Sequence, residues 1–196
     1  MMIKGAVEFS HHCLSKVIQP GDTVVDATAG NGHDTLFLAK LVGKSGRVYG
    51  FDIQEEAIKN TEKRLADDGE NEQVTLICRS HHELKNVIPG DSDIKAAVFN
   101  LGYLPKGDKK IVTRPETTIE ALQSLQERLH TDGLIVLVVY PGHPEGKIEA
   151  DALLDYAKQL DQKHWQVLKY EIMNQMNNPP FLIAIERNQG ARNKAG

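Results

Sequence analysis

Short, β-branched apolar runs alternate with stretches of helical apolar spacing over residues 23–140, a pattern that only a sheet layered with helices satisfies. The runs cover 23–27, 47–51, 74–78, 94–100 and 134–140, and helical spacing covers 34–42, 54–68, 82–88 and 117–129. Strands joined through helices pair parallel by right-handed crossovers, which predicts an α/β, Rossmann-like, doubly wound sheet. A helix over 147–160 and strands over 165–173 and 181–186 follow. The short connection 174–180 suits an antiparallel pair, so the expected sheet has seven strands, mostly parallel, with an antiparallel last strand and helices on both faces. A further helix over 6–18 precedes the first strand. Residues 1–187 are expected to form one domain and 188–196 a disordered polar tail.

Composition narrows the function. With 196 residues, 40% of them apolar, the chain closes one core of ordinary size. Its 23 basic and 27 acidic residues leave a formal charge of −4, which excludes a polycationic nucleic-acid coat and confines any such contact to a local patch. The longest aliphatic run, 134–139, has six residues against the roughly 20 a membrane span needs. The first nine residues contain Lys4 and Glu8 and no apolar core of signal-peptide type, so with two cysteines, Cys13 and Cys78, a reducing cytoplasmic location is expected.

The first strand runs into Asp26-Ala27-Thr28-Ala29-Gly30-Asn31-Gly32-His33-Asp34-Thr35. Glycines at a strand-to-helix turn let backbone N–H groups approach a ligand closely. The third glycine of a dinucleotide fingerprint is missing, however, and Asp26 and Asp34 flank the place a pyrophosphate needs. Fixed negative charge there disfavours phosphate and suits a cation, such as the sulfonium and amino group of S-adenosylmethionine. Twenty residues past Gly32, Asp52 ends the second strand, where a carboxylate accepts both ribose hydroxyls of an adenosine, with Ile53 and Gln54 beside it. Ser80 and His81 follow the third strand at the adenine edge; a helix N-cap at Ser80 beside solvated histidines is the alternative.

The fourth strand ends in Asn100-Leu101-Gly102-Tyr103-Leu104-Pro105. The Asn100 side-chain oxygen and the Leu101 carbonyl can accept from an N–H₂ group and aim its lone pair at a methyl group, while Tyr103 offers a face to a flat base. Lys106, Lys109, Lys110 and Arg114 outnumber Asp108 and Glu116 by two in the segment that follows, a candidate grip on RNA phosphates or else a solvated loop. Tyr140 and His143, after the fifth strand, are candidates for the substrate side.

Other chemistries fit less well. The doublets His11-His12 and His81-His82 have no zinc-site spacing, and adjacent side chains diverge, so no metal is expected. Cys78 lies in an apolar strand and reads as a buried, inert thiol rather than a nucleophile. Asn178-Pro179-Pro180-Phe181 matches an amine-methyltransferase pattern literally, but its place in a hairpin connection marks it as turn chemistry.

Asp26 to Thr35, Asp52, Ser80-His81 and Asn100 to Tyr103 resemble the successive motifs of class I S-adenosylmethionine-dependent methyltransferases over most of the chain. The phrases Asp-Ala-Thr-Ala-Gly-Asn-Gly-His-Asp-Thr, Asn-Leu-Gly-Tyr-Leu-Pro and Gly142-His143-Pro144-Glu145-Gly146 resemble more narrowly a bacterial family labelled "putative rRNA methylase". That resemblance implies methylation of 5-aminomethyl-2-thiouridine at the wobble position of tRNA, with S-adenosylhomocysteine as by-product and the anticodon arm as partner. A homodimer would help a chain this small present enough surface to that arm. Two departures stand out: Thr28 replaces the first glycine of the general motif, as in this subfamily, and Leu101-Gly102 replaces the Pro-Pro of Asn-Pro-Pro-Tyr. The second weakens any inference to an exocyclic base amine. An rRNA or a small-molecule amine is the alternative acceptor.

Overall fold

The computed structural model describes residues 2–102 and 113–189. In chain order the elements are α1 (Ala6–Val17), β1 (Thr23–Asp26), α2 (His33–Val42), β2 (Arg47–Asp52), α3 (Glu55–Asp68) and β3 (Val74–Cys78). A 3-10 turn (His81–Glu83) leads into α4 (Leu84–Val87), then β4 (Ile94–Leu101), α5 (Pro115–Arg128), β5 (Leu129–Val139), α6 (Pro144–Lys158), β6 (Trp165–Tyr170) and β7 (Phe181–Arg187). The seven strands form one sheet in the order β3-β2-β1-β4-β5-β7-β6. β1 to β5 pair in parallel, and β7 runs antiparallel between β5 and β6. The expected sheet, with its reversed last strand, is the observed one.

Period-two alternation along the strands builds a core on each face. Val24, Ala96, Val98, Val136 and Val138 pack beneath α1, α2 and α3, whereas Val25, Ala97, Phe99, Ile135 and Leu137 pack against α4, α5 and α6. The same parity decides where polar residues at strand ends point. Asp26, Asn100 and Tyr140 continue the series of Val24, Val98 and Val138, so all three lie on the α1–α2 face. Because β1 is paired with β2 on one side and β4 on the other, the strand order reverses there and a crevice opens at the carboxyl ends of β1 and β4.

Several boundaries differ from the sequence expectation. β5 begins at Leu129 rather than Leu134, since Leu129 pairs with Ile94 before a register irregularity, with Asp132 in the left-handed region at φ 67°. α6 starts at Pro144 because His143 caps it and proline suits the first helical position. Cys78 is exposed, not buried: β3 is an edge strand and Cys78 is its last residue. Tyr103, Lys106, Lys109 and Lys110 lie outside the described residues, as does the expected tail beyond Gln189.

Candidate functional site

The crevice is an open cleft of about 1300 Å³. On the β1–β2 side it is lined by Ala27 to Asn31, Asp34, Asp52, Ile53 and Gln54, with Ser80 and His81 beyond. On the β4–β5 side it is lined by Asn100, Gly102, Arg114, Tyr140 and His143. The elements thus bring together most of the residues singled out from sequence.

The β1–α2 turn is held by its own chain. Gly30 and Gly32 take the left-handed conformation, φ 54° and 78°. A Cβ on Gly32 would also lie 2.9 Å from the Thr61 Cα, so glycine is required twice over. Asp26 is fully buried, accepting from the Thr35 hydroxyl at 2.6 Å and the Thr28 N–H at 3.1 Å. Burial, and next the charge of Asp34, push its pKa up to about 7 against those two hydrogen bonds. Asp26 and Thr35, expected at the cofactor, are not among the cleft-lining residues; they brace the turn from beneath, because strand parity aims Asp26 under α2. Thr28 does line the cleft, and its Oγ1 accepts the Asn100 backbone N–H at 2.7 Å, tying the turn to β4.

Asp52 is oriented by two backbone donors, with Gly30 N–H on Oδ2 and Gln54 N–H on Oδ1, both at 2.9 Å. Each oxygen keeps a lone pair for a further donor. His81 is buried and faces Phe99 edge-on, its Nδ1 lying 3.1 Å from the Ala27 carbonyl, which it can reach only as a donor. Burial lowers its pKa to about 4, so the ring is neutral and Nε2 is an acceptor. Among the described residues that buried Nε2 has no partner. Ser80 pairs with His82 Nδ1 at 2.8 Å and makes no side-chain cap bond.

Between the two walls, three side chains from three elements form one network. Asn100 Nδ2 donates to Asp34 Oδ2 at 3.2 Å, and His11 Nε2 lies 2.6 Å from Asp34 Oδ1. Tyr140 stands beside them; burial, and next the Asp34 charge, raise its pKa against an interaction with the Asn100 side chain. His11, on α1, was not singled out as a site residue. Its 23-residue separation from Asp34 carries no local signal, although the parity shared by Asp26, Asn100 and Tyr140 could have located the face. Asn178 and Pro180, from the hairpin connection between β6 and β7, also line the cleft. His143 sits at the cleft as the cap of α6, its Nδ1 accepting from the Gly146 N–H at 3.0 Å. Glu149, buried between the hydroxyls of Thr113 at 2.6 Å and Thr118 at 2.8 Å, anchors the wall that carries Arg114. Among the described residues no group of three or more His, Cys, Asp or Glu could hold a metal.

Sheet order, glycine turn and ribose-type carboxylate are those of an S-adenosylmethionine-dependent methyltransferase. A family model described as "Putative rRNA methylase" matches residues 48–186, and the chain belongs to that family. Residues 6–83 also match the model of protein-L-isoaspartate(D-aspartate) O-methyltransferases. Over 192 residues the chain is 38% identical to "tRNA (mnm(5)s(2)U34)-methyltransferase, chloroplastic" of Arabidopsis thaliana, covering 94% of this chain and 70% of that protein. The crystal structure of a "putative rRNA-methylase" from Clostridium thermocellum superposes with a TM-score of 0.93 at 48% identity, covering 95% of this chain and 100% of the other. A "putative methyltransferase" from Streptococcus mutans, in complex with SAH, gives a TM-score of 0.86 at 40% identity over 94% of this chain and 99% of its own. No helix among the described residues is long and apolar enough to cross a membrane.

The residues present fit the cofactor. An unpartnered acceptor on His81 and spare lone pairs on Asp52 are complementary to an adenosine carrying donors along one edge.

Proposed function

We propose that the protein N-methylates tRNA, converting 5-aminomethyl-(2-thio)uridine at the wobble position to 5-methylaminomethyl-(2-thio)uridine. The observation that carries this reading is the state of Asn100 at the mouth of β4. One of its two amide N–H donors goes to Asp34, which sets its side-chain oxygen as an acceptor beside a carboxylate. A primary amine, rich in N–H donors and cationic when protonated, is the acceptor such a pocket suits. The 38% identity to a relative named for wobble-uridine methylation supports the same acceptor.

When bound, the cofactor supplies an electrophilic methyl group on a sulfonium sulfur. Asp52 holds the ribose hydroxyls, the Gly30–Asn31–Gly32 turn receives the methionine end, and Ser80, His81, Ile53 and Gln54 frame the adenine. Asn100 and the Leu101 carbonyl orient the amine, and Thr28 and Asp34 keep Asn100 in place. Tyr103 stacks on the base, while Lys106, Lys109, Lys110 and Arg114 take the anticodon-arm phosphates, with Gly102 and His143 shaping the substrate side. Alignment supplies most of the acceleration, because a sulfonium leaves readily.

The experiment is incubation with radiolabelled S-adenosylmethionine and bulk tRNA from a strain lacking the gene, followed by digestion and identification of the labelled nucleoside. Label in 5-methylaminomethyl-2-thiouridine is the expected result. No label in tRNA, with label taken up in a parallel incubation with ribosomal RNA, would favour the second reading, which the family's printed description suggests.

A further inference from the structure

An alkyl ammonium ordinarily loses its proton only near pH 10, so the acceptor nitrogen of an aminomethyl group arrives protonated and without the lone pair that must form the new bond. The cleft contains four carboxylates among the described residues. Asp52 is turned to Gly30 and Gln54, and Glu116 and Glu145 are exposed on the rim. Asp34 alone is bonded to Asn100, the residue that orients the amine.

We propose that Asp34 is the base that takes the proton from the substrate ammonium, and that His11 positions it. The inference rests on the aminomethyl reading above. Asp34 is only 7% exposed yet lines the cleft, so a cationic nitrogen seated against it is shielded from bulk water. Its two oxygens are assigned separately, Oδ2 to Asn100 and Oδ1 to His11. A carboxylate only accepts, so His11 donates through Nε2. The imidazole lies flat on Phe37, with ring centroids 4.0 Å apart and planes 8° from parallel, which fixes the direction of that donor. His11 does not line the cleft; it stands behind Asp34 and acts through it.

The proton passes from the ammonium to a free lone pair of the carboxylate, and the electron pair of the broken N–H bond stays on nitrogen. That pair forms the bond to the methyl carbon as the carbon–sulfur bond breaks, its electrons remaining on sulfur. The product is a secondary ammonium with two N–H hydrogens, and Asp34 returns its proton to water once the product leaves. The groups facing Asp34 are His11 from α1, Asp26 from β1, neutral Asn100 from β4 and Tyr140 after β5.

The test uses the full chain and an anticodon stem-loop RNA carrying 5-aminomethyl-2-thiouridine, beside the same RNA with plain 2-thiouridine. Single-turnover rates are taken from pH 6 to 10, and both RNAs are titrated against protein loaded with S-adenosylhomocysteine. Wild type is expected to bind the aminomethyl RNA about tenfold more tightly. Asp34→Asn is expected to lose that preference and about 100-fold in rate at pH 7, recovering roughly tenfold per pH unit as the amine deprotonates unaided. This recovery at high pH also establishes that the variant is folded. His11→Phe keeps the stack and is expected to lower kcat about tenfold with KM unchanged, while His11→Gln, which restores a donor, returns to within about threefold. An Asp34→Asn protein with wild-type pH profile and wild-type RNA preference overturns the inference while leaving the substrate reading intact. Equal rates for the two His11 variants remove His11 from it. Wild-type protein that binds both RNAs without methylating either sinks the substrate reading and this inference together.

Discussion

The two walls of the cleft are built in different ways. On the β1–β2 wall, side chains are held mainly by backbone groups: Asp52 by the Gly30 and Gln54 N–H groups, Asp26 by the Thr28 N–H beside the Thr35 hydroxyl, His81 Nδ1 by the Ala27 carbonyl. Toward the β4–β5 wall, side chains bond to one another, with His11 of α1 and Asn100 of β4 both meeting Asp34 of α2. A wall held by backbone groups tolerates change in the side chains around it, and residues 6–83, which carry this wall, also match a second methyltransferase family. A network of mutually bonded side chains depends on every element that supplies one.

This contrast can be broken by single substitutions. Asn100→Ala removes the amine-orienting group and leaves Asp34 short of a donor; kcat is expected to fall about 1000-fold, with cofactor affinity by calorimetry changed less than about threefold. A comparable loss in both quantities would mean that the two walls are not separable. Asp52→Ala acts on the other wall: the Kd for S-adenosylmethionine should rise about 100-fold, on the order of 3 kcal/mol, since the ribose contacts and the brace on Gly30 go together. A cofactor Kd within a few-fold of wild type would dismiss Asp52 as the ribose anchor.

Smaller effects sharpen the comparison. Gly32→Ala forces a left-handed alanine against the Thr61 Cα and should cost about 1–3 kcal/mol of folding stability, read from denaturant midpoints at unchanged m value. Its stability loss should exceed that of any substitution at exposed Arg114. Arg114→Ala is expected to weaken stem-loop RNA binding about threefold and lower the salt dependence by roughly one phosphate contact, without altering cofactor affinity. An unchanged salt slope would remove Arg114 from the RNA grip.

Much of the architecture is legible in the sequence. Strand runs of four to eight residues separated by helical spacing carry their own signal, and β3 falls on the expected residues 74–78. The limits of β5 were not legible, because the residues before Leu134 are polar and join the sheet only by pairing with Ile94 across a register irregularity. Asp26 was read as a ligand group from its charge and its nearness to the glycines, a property that says nothing about which side of the strand it faces. Cys78 was read as buried because an apolar strand resembles a central one until the strand order places it at an edge.

The sequence by itself determined the alternation of elements, the left-handed glycine turn and the carboxylate at the end of β2, since each depends on residues within about twenty positions of one another. Tertiary structure alone decided that His11 stands behind Asp34, that Asn100 spends its donor on Asp34, and that the Asn178–Pro180 connection reaches the cleft. These are pairings across 23 and 66 residues and across the sheet, set by how helices settle on alternating strand faces, and no local spacing encodes them.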